Sequence, residues 1–431
     1  MATRKKKKTA APKPPKFGKS TIRVRMYRVG FGDCFLLSLP IANSSDSAET
    51  HKHLLIDCGV HAQGDLDTID RAVDNIAEVT NKKLAIVIAT HSHQDHISGF
   101  SNKFSKFNIG EVWLPWCENP KDPKAIKLQN KHNALTERLR DHFAAEEKKS
   151  KPDKSRRSAI AAIENLTQNA TALGLLRSGF GVNAEVRYLA SGDGVKNPAG
   201  VEGLGVTILG PPRDPKFLAA MDPPANQRYL RLAGGQPKPL NPLKPFASKW
   251  AMTADELPPD NRLSPEETKT IQDELASPSL DSLAFALDQA KNNTSVVTLL
   301  TYRGQQMLFP GDAQWGNWKF WLEQPDAAAI LSGVTFFKVA HHGSLNATPK
   351  DALERMAKGK FAAMVSTQNV PWKSIPRLPL MMRLLEQTNN RSVRSDSLAA
   401  GFGYAPKGPV LDEMPKGFVQ GDFWYDFLIK V

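Results

Sequence analysis

The chain has 431 residues, enough for one large domain with insertions or for two domains. Its 41% apolar residues and interspersed charges suit a globular protein in water, and no run of about 18 apolar residues offers a membrane-spanning helix. The net charge of +13 is uneven: residues 1–20 hold eight cations and no acid, leaving 49 basic against 44 acidic residues, so the body is not a strongly basic nucleic-acid module.

The basic N-terminal segment is rich in Lys, Ala and Pro and reads as a disordered tail over 1–20, either a loose tether to nucleic acid or a solubilising extension. No apolar stretch follows it, which argues against a secretory signal. Ordered structure is expected from Thr21. Thr21–Arg28 and Cys34–Leu39 read as strands around the turn Val29-Gly30-Phe31-Gly32-Asp33, and a polar loop covers 42–50. A short strand over His53–Asp57 stops at Gly59. Residues 65–80 place Leu66, Ile69, Val73 and Ile76 on one helical face. Leu84–Ala89 is a short β-branched run, expected as a buried strand, and Val112–Trp116 as another.

Residues 121–180 read as a helical insertion, with helices over 137–149 and 157–175. Strand character returns at Glu185–Leu189 and Gly205–Leu209. Residues 211–278 hold 13 of the 31 prolines and read as part of a second, irregular insertion over about 211–290. Within it Ser264-Pro265 opens a helix, and 280–290 is helical too. Strands follow at Ser295–Tyr302, Met307–Phe309, Thr335–Val339, Ala362–Ser366 and Phe423–Lys430, and helices at 349–358 and Pro379–Gln387. Strands before 120 and after 295, with helices between many of them, suit a layered α/β sandwich in one domain spanning 21–431.

Three cysteines, Cys34, Cys58 and Cys117, with no CxxC spacing, suit a reducing, cytoplasmic compartment and three small buried side chains. The chemistry lies elsewhere, in Thr90-His91-Ser92-His93-Gln94-Asp95-His96 at the end of a buried strand. Alternate residues of extended chain point the same way, so His91 and His93 can converge on one ion, and Asp95 and His96 can turn toward a second. Imidazole with carboxylate suits zinc, and also manganese or iron.

This pattern resembles the metallo-β-lactamase superfamily, whose hallmark is HxHxDH after a strand. Asp57 in Leu55-Ile56-Asp57-Cys58-Gly59 matches the family's earlier acidic position, Asp312 in Pro310-Gly311-Asp312 its bridging aspartate, and His341 or His342 in His341-His342-Gly343-Ser344 its last histidine. A narrower likeness is to the C-terminal hydrolase domain of the ComEC DNA-uptake proteins. It rests on Val29-Gly30-Phe31-Gly32-Asp33, Asn292-Asn293-Thr294-Ser295-Val296-Val297 and His341-His342-Gly343-Ser344, and falls in residues 22–100 and 292–367. Such domains commonly carry Asp where His93 stands.

The resemblance implies a four-layered αββα fold with the helical and Pro-rich insertions added, one or two Zn2+ or Mn2+ ions, and hydrolysis by metal-activated water. It implies His91, His93, Asp95, His96, Asp312 and His342 as ligands, with Asp95 and Asp312 at the reaction centre and His341 free to donate a proton. Asp57 would orient a ligand, and Ser344 and Asn346 would bond a phosphate oxygen. Lys338 reads as a surface strand lysine. Between His96 and Asp312 the chain has only His132 and His142, both in the helical insertion, so the family's middle histidine has no counterpart. The expected activity is phosphodiester hydrolysis on DNA, RNA or a cyclic nucleotide. The alternatives are an ester, lactone, thioester or amide hydrolase, and a partner-binding protein with a vestigial site. No membrane insertion is expected, and the oligomeric state is open.

Overall fold

The computed structural model describes residues 18, 20–41, 49–148, 151–167, 169–229, 264, 280–369, 372, 374–400 and 409–431. The basic tail apart from Gly18 and Ser20, residues 42–48 of the polar loop, most of the Pro-rich segment and the helix expected after Ser264 lie outside the described residues.

Strands of the first half are β1 (Thr21–Tyr27), β2 (Cys34–Pro40), β3 (His51–Cys58), β4 (Lys83–Ile88), β5 (Asn108–Pro115), β6 (Glu185–Leu189), β7 (Gly194–Lys196) and β8 (Leu204–Gly210). The second half supplies β9 (Val297–Tyr302), β10 (Gln305–Phe309), β11 (Phe336–Lys338), β12 (Ala362–Val365), β13 (Ser392–Arg394), β14 (Leu398–Ala399), β15 (Val410–Leu411), β16 (Phe418–Gln420) and β17 (Trp424–Lys430). They form a mixed α/β architecture with two large sheets, ordered β16-β17-β1-β2-β3-β4-β5-β6 and β13-β12-β11-β10-β9-β8-β7, and a small β14-β15 pair. Each large sheet is antiparallel on one side and parallel on the other, the parallel runs being β3 to β6 and β10 to β13.

Period-two alternation decides what each face buries. Val24, Phe35, Leu37, Ile56 and Ile88 of the first sheet join Ile208, Leu300, Phe309, Phe336 and Met364 of the second in one cluster. The intervening residues face outward. Leu36, Leu55, Val87 and Val112 meet Ala72, Val73 and Ile76 of helix Ile69–Val79, whose Thr68 Oγ1 accepts from Arg71 N at the N-terminus. Leu308, Phe337 and Val365 meet Trp318, Leu331, Leu353 and Leu384 on helices Trp315–Leu322, Ala327–Gly333, Lys350–Arg355 and Leu378–Gln387.

The helical insertion divides differently from the sequence expectation. One helix covers Pro123–Glu147, capped by Asp122 with Pro in the first turn, and the second expected helix breaks into Lys154–Thr167 and Ala170–Arg177. The break falls beside Asn169, whose Nδ2 bonds the carbonyls of Asn165 and Ser92 rather than continuing a surface face. The two insertions meet: Leu139, Phe143, Ala159 and Ile163 pack with Ala284 of helix Leu280–Asn292.

Phe309 is 1% exposed, with ring centroids of Phe35 and Phe336 at 6.0 and 5.4 Å. Phe309→Ala is expected to lower the unfolding free energy by about 3–5 kcal/mol in urea titration; a loss below ~1 kcal/mol would contradict the sealed contact between the sheets.

Candidate metal centre

The site residues sit at the ends of neighbouring parallel strands. Asp57 ends β3, the histidine-rich loop follows β4, Asp312 follows β10, His341 and His342 follow β11, and Ser366 follows β12. Gly32 and Gly59 let the first of these loops approach the second: a Cβ at Gly32 would strike Val60 and the Asp95 carbonyl, and one at Gly59 the His96 backbone. Asp33 N then donates to Asp95 O at 2.8 Å.

Asp95, His96, Asp312 and His342 come together, with one ligand atom from each within 4.8 Å of the others, and all are buried. His91 Nε2 and His93 Nδ1 face each other at 3.1 Å beside them. Hydrogen bonding on the far side of each ring decides which nitrogen is bare. Ser295 Oγ gives its proton to Asn292 O, and Thr90 Oγ1 gives its proton to Asp57, so both can only accept from His91 Nδ1. His91 Nε2 is therefore a lone pair. His96 Nδ1 donates to Asp57 Oδ2 at 2.8 Å, and His342 Nδ1 to the Ser366 carbonyl at 2.8 Å. His93 Nε2 faces Asp288 Oδ1 at 3.4 Å, leaving Nδ1 toward His91. Three imidazole lone pairs, with the His93 ring beside them, thus converge with two carboxylates.

These residues fit a divalent metal. The buried His96 Nε2 has no hydrogen-bond partner although Asp312 Oδ2 lies 3.1 Å away, and Asp95 Oδ1 has none either. His342 Nε2 meets both Asp95 Oδ2 at 3.0 Å and Asp312 Oδ2 at 3.2 Å. Burial lowers the pKa of His342, but Asp312 and Asp95 outweigh it and hold it up at about 10. Burial likewise opposes the charge on His96, and Asp312, Asp95, Asp57 and Asp33 push it well above its usual value. The carboxylates call for positive charge at these two rings, and a divalent cation can supply it in place of protons. His91 and His93 stay neutral because burial pulls them down, His93 to about 3.

Asp57 behaves as an orienting group: its Oδ1 accepts from Thr90 N at 2.7 Å while Oδ2 holds His96. His341 lies at the cavity edge with Nε2 3.9 Å from Asp312 Oδ2, and burial lowers its pKa to about 4. Ser344 Oγ gives its proton to Asn346 Oδ1 and so accepts from His341 Nδ1 at 2.9 Å. Ser344 and Asn346 therefore stand behind His341, with Asn346 Nδ2 3.5 Å from Oε1 of the cavity-lining Gln289. Asp57, His341 and His342 all hold positive φ, at 54°, 44° and 54°, a strained backbone fixed by these bonds.

Lys338 is a correction. It is not a surface lysine: it is 2% exposed, ion-paired to Asp33, and donates to Gly311 O at 3.0 Å. Its Nζ lies 3.4 Å from Asp312 Oδ1, which leaves Oδ2 for the histidines. Burial lowers its pKa, and Asp33 and Asp312 more than restore it. Sequence reasoning also passed over Asp288, whose carboxyl burial and Asp95 push up to about 8. Asn293 was read only as part of a motif. Its Oδ1 accepts from the backbone N–H groups of Gln314 and Asn317, fixing the turn that carries Asp312. His132 does not take the missing middle position, since its Nε2 bonds Leu287 O at 3.0 Å.

The cavity over the cluster is about 140 Å³, walled by Phe31, Trp372 and His341 on one side and by Asn165, Phe285 and Asp288 from the insertions on the other. Among the described residues no helix is long and apolar enough to cross a membrane.

Lys338→Ala is expected to cost about 3–5 kcal/mol of stability because it removes the ammonium paired with buried Asp33. Adding Asp33→Asn should recover part of that loss in a denaturation double-mutant cycle; additive losses would show the two side chains to be independent.

No curated protein matches the chain. A family model described as "Metallo-beta-lactamase superfamily" matches residues 48–113, so the stretch carrying Asp57, His91, His93, Asp95 and His96 is similar to that superfamily.

Proposed function

We propose that the chain is a metal-dependent hydrolase of a four-layered αββα fold, comprising one domain over 21–431 with two inserted segments, and that it cleaves phosphodiesters. The observation that carries the hydrolase reading is the convergence of four imidazole rings with two carboxylates, the tautomers of His91, His96 and His342 being set by partners behind the rings. His91 and His93 would hold one ion, Asp95, His96 and His342 a second, with Asp312 between them. Zinc suits this nitrogen-rich set, and manganese is the alternative. A divalent ion bound there supplies water activated near neutral pH and polarises the bond under attack.

The chain's own residues do the rest. Asp57, Ser295 and Ser366 aim the rings. Lys338 holds Asp312 Oδ1. His341 presents Nε2 as a lone pair, with Asn292 Nδ2 at 3.3 Å, so it would take a proton from the attacking water and pass it to the leaving group. The phosphodiester preference rests on the ComEC-like turn, Asn-Asn and His-His segments and on the positive net charge. One observation favours an ester or lactone instead: among the described residues no lysine or arginine lines the cavity.

The test is metal analysis of the purified protein, then assay with zinc and with manganese on bis-p-nitrophenyl phosphate, single-stranded DNA, RNA, p-nitrophenyl acetate and lactones. Bound zinc or manganese with phosphodiester turnover is expected. Turnover of esters alone would reject the substrate assignment, and absence of transition metal would reject the hydrolase.

Two variants separate ligand from proton carrier. His342→Ala should lose metal and activity together. His341→Gln should keep its metal while kcat falls by about 10²–10⁴; full activity in that variant would remove the proton role.

A further inference from the structure

A second cavity, of about 520 Å³, shares no lining residue with the one over the metal ligands. It lies on the other side of helix Leu280–Asn292, where Ala290 and Lys291 face it while Asp288 and Asn292 face the metal ligands. Its volume is that of a site for a drug-sized molecule. Trp116, Leu128, Leu218 and Ala290 make its interior apolar, and among the described residues none that lines it is acidic.

The cations around it are not equivalent. Lys291 is paired with buried Glu118, and Arg213 with Asp122 while it also lies 4.5 Å over the Trp116 ring. Lys124, Lys127 and Lys131 are exposed at the mouth, and none has a carboxylate partner among the described residues. Spaced three and four apart, they share one face of helix Pro123–Glu147 and repel one another. An anion at the mouth relieves that repulsion, and an apolar body behind it fills the interior.

We propose that this cavity binds an amphipathic organic anion, its acid group held by Lys124, Lys127 and Lys131 and its apolar body against Trp116, Leu128, Leu218 and Ala290. The site is independent of the catalytic reading. An aliphatic carboxylate and an aryl phosphate both carry this chemistry.

The probe is 8-anilinonaphthalene-1-sulfonate, titrated into the full chain by fluorescence, with N-phenyl-1-naphthylamine as the same body lacking the acid. One saturable site is expected, with the neutral compound binding at least about tenfold more weakly. Lys127→Glu/Lys131→Glu, both exposed and remote from the metal ligands, should weaken the dye by at least about tenfold without changing unfolding or metal content. Displacement by decanoate assigns an aliphatic carboxylate, and displacement by 1-naphthyl phosphate an aryl phosphate. The proposal is overturned if binding is not saturable, if the charge-reversal variant or the neutral compound binds equally well, or if neither competitor displaces the dye.

Discussion

Four carboxylates buried at one end of the two sheets set the terms for everything around them. Asp33, Asp57, Asp95 and Asp312 are each at most 4% exposed. An unanswered carboxylate at that depth costs several kcal/mol. Lys338 answers Asp33 and Asp312, and the Nδ1 proton of His96 answers Asp57. The remaining charge, on Asp95 and Asp312, faces the Nε2 atoms of His96 and His342, whose opposite nitrogens are already committed. Positive charge at that point is what the cluster requires. Stability and metal affinity are therefore coupled, since a cation that satisfies the donors also neutralises the buried acids.

Holding that charge at the strand ends takes strained backbone. Asp57, His341 and His342 adopt left-handed φ, each at a cost of about 1–3 kcal/mol. Each strained residue is held by a hydrogen bond: Asp57 to Thr90 just after β4, His342 to Ser366 just after β12, and His341 to Ser344 further along its own loop. Ser295 joins the two halves of the site, meeting His91 Nδ1 and accepting from Asp312 N. The Asn-Asn-x-Ser segment thus braces the His91 ring and the turn that carries Asp312.

Local pattern made most strands and the ligand cluster legible. The run before His91 is β-branched and short, and the ligands recur at alternate positions, so both signals lie within a dozen residues. Lys338 was misread because its position in β11 looks like the polar half of an alternation. What buries it is Asp33, far away in the chain, and no local pattern carries that pairing. The break at Asn169 was missed for the same reason, since its partner Ser92 belongs to the metal loop. Asp288 looked like an ordinary polar residue on a helix because burial by another inserted segment cannot be read from spacing.

That burial gives the insertions a place in the chemistry. Asn165 Oδ1 accepts from Gln94 N, Asn169 bonds Ser92 O, and Asp288 faces His93, so the inserted helices grip the backbone and one ring of the HxHxDH loop. The strand ends alone set the six donors. The helices, packed on one another through Phe143, Ile163 and Ala284, set the width of the approach to them. Changes within that helical cluster can therefore alter which molecules enter without touching a ligand. Changes at Asn165 or Asp288 cannot, because those two side chains both line the approach and meet the HxHxDH loop.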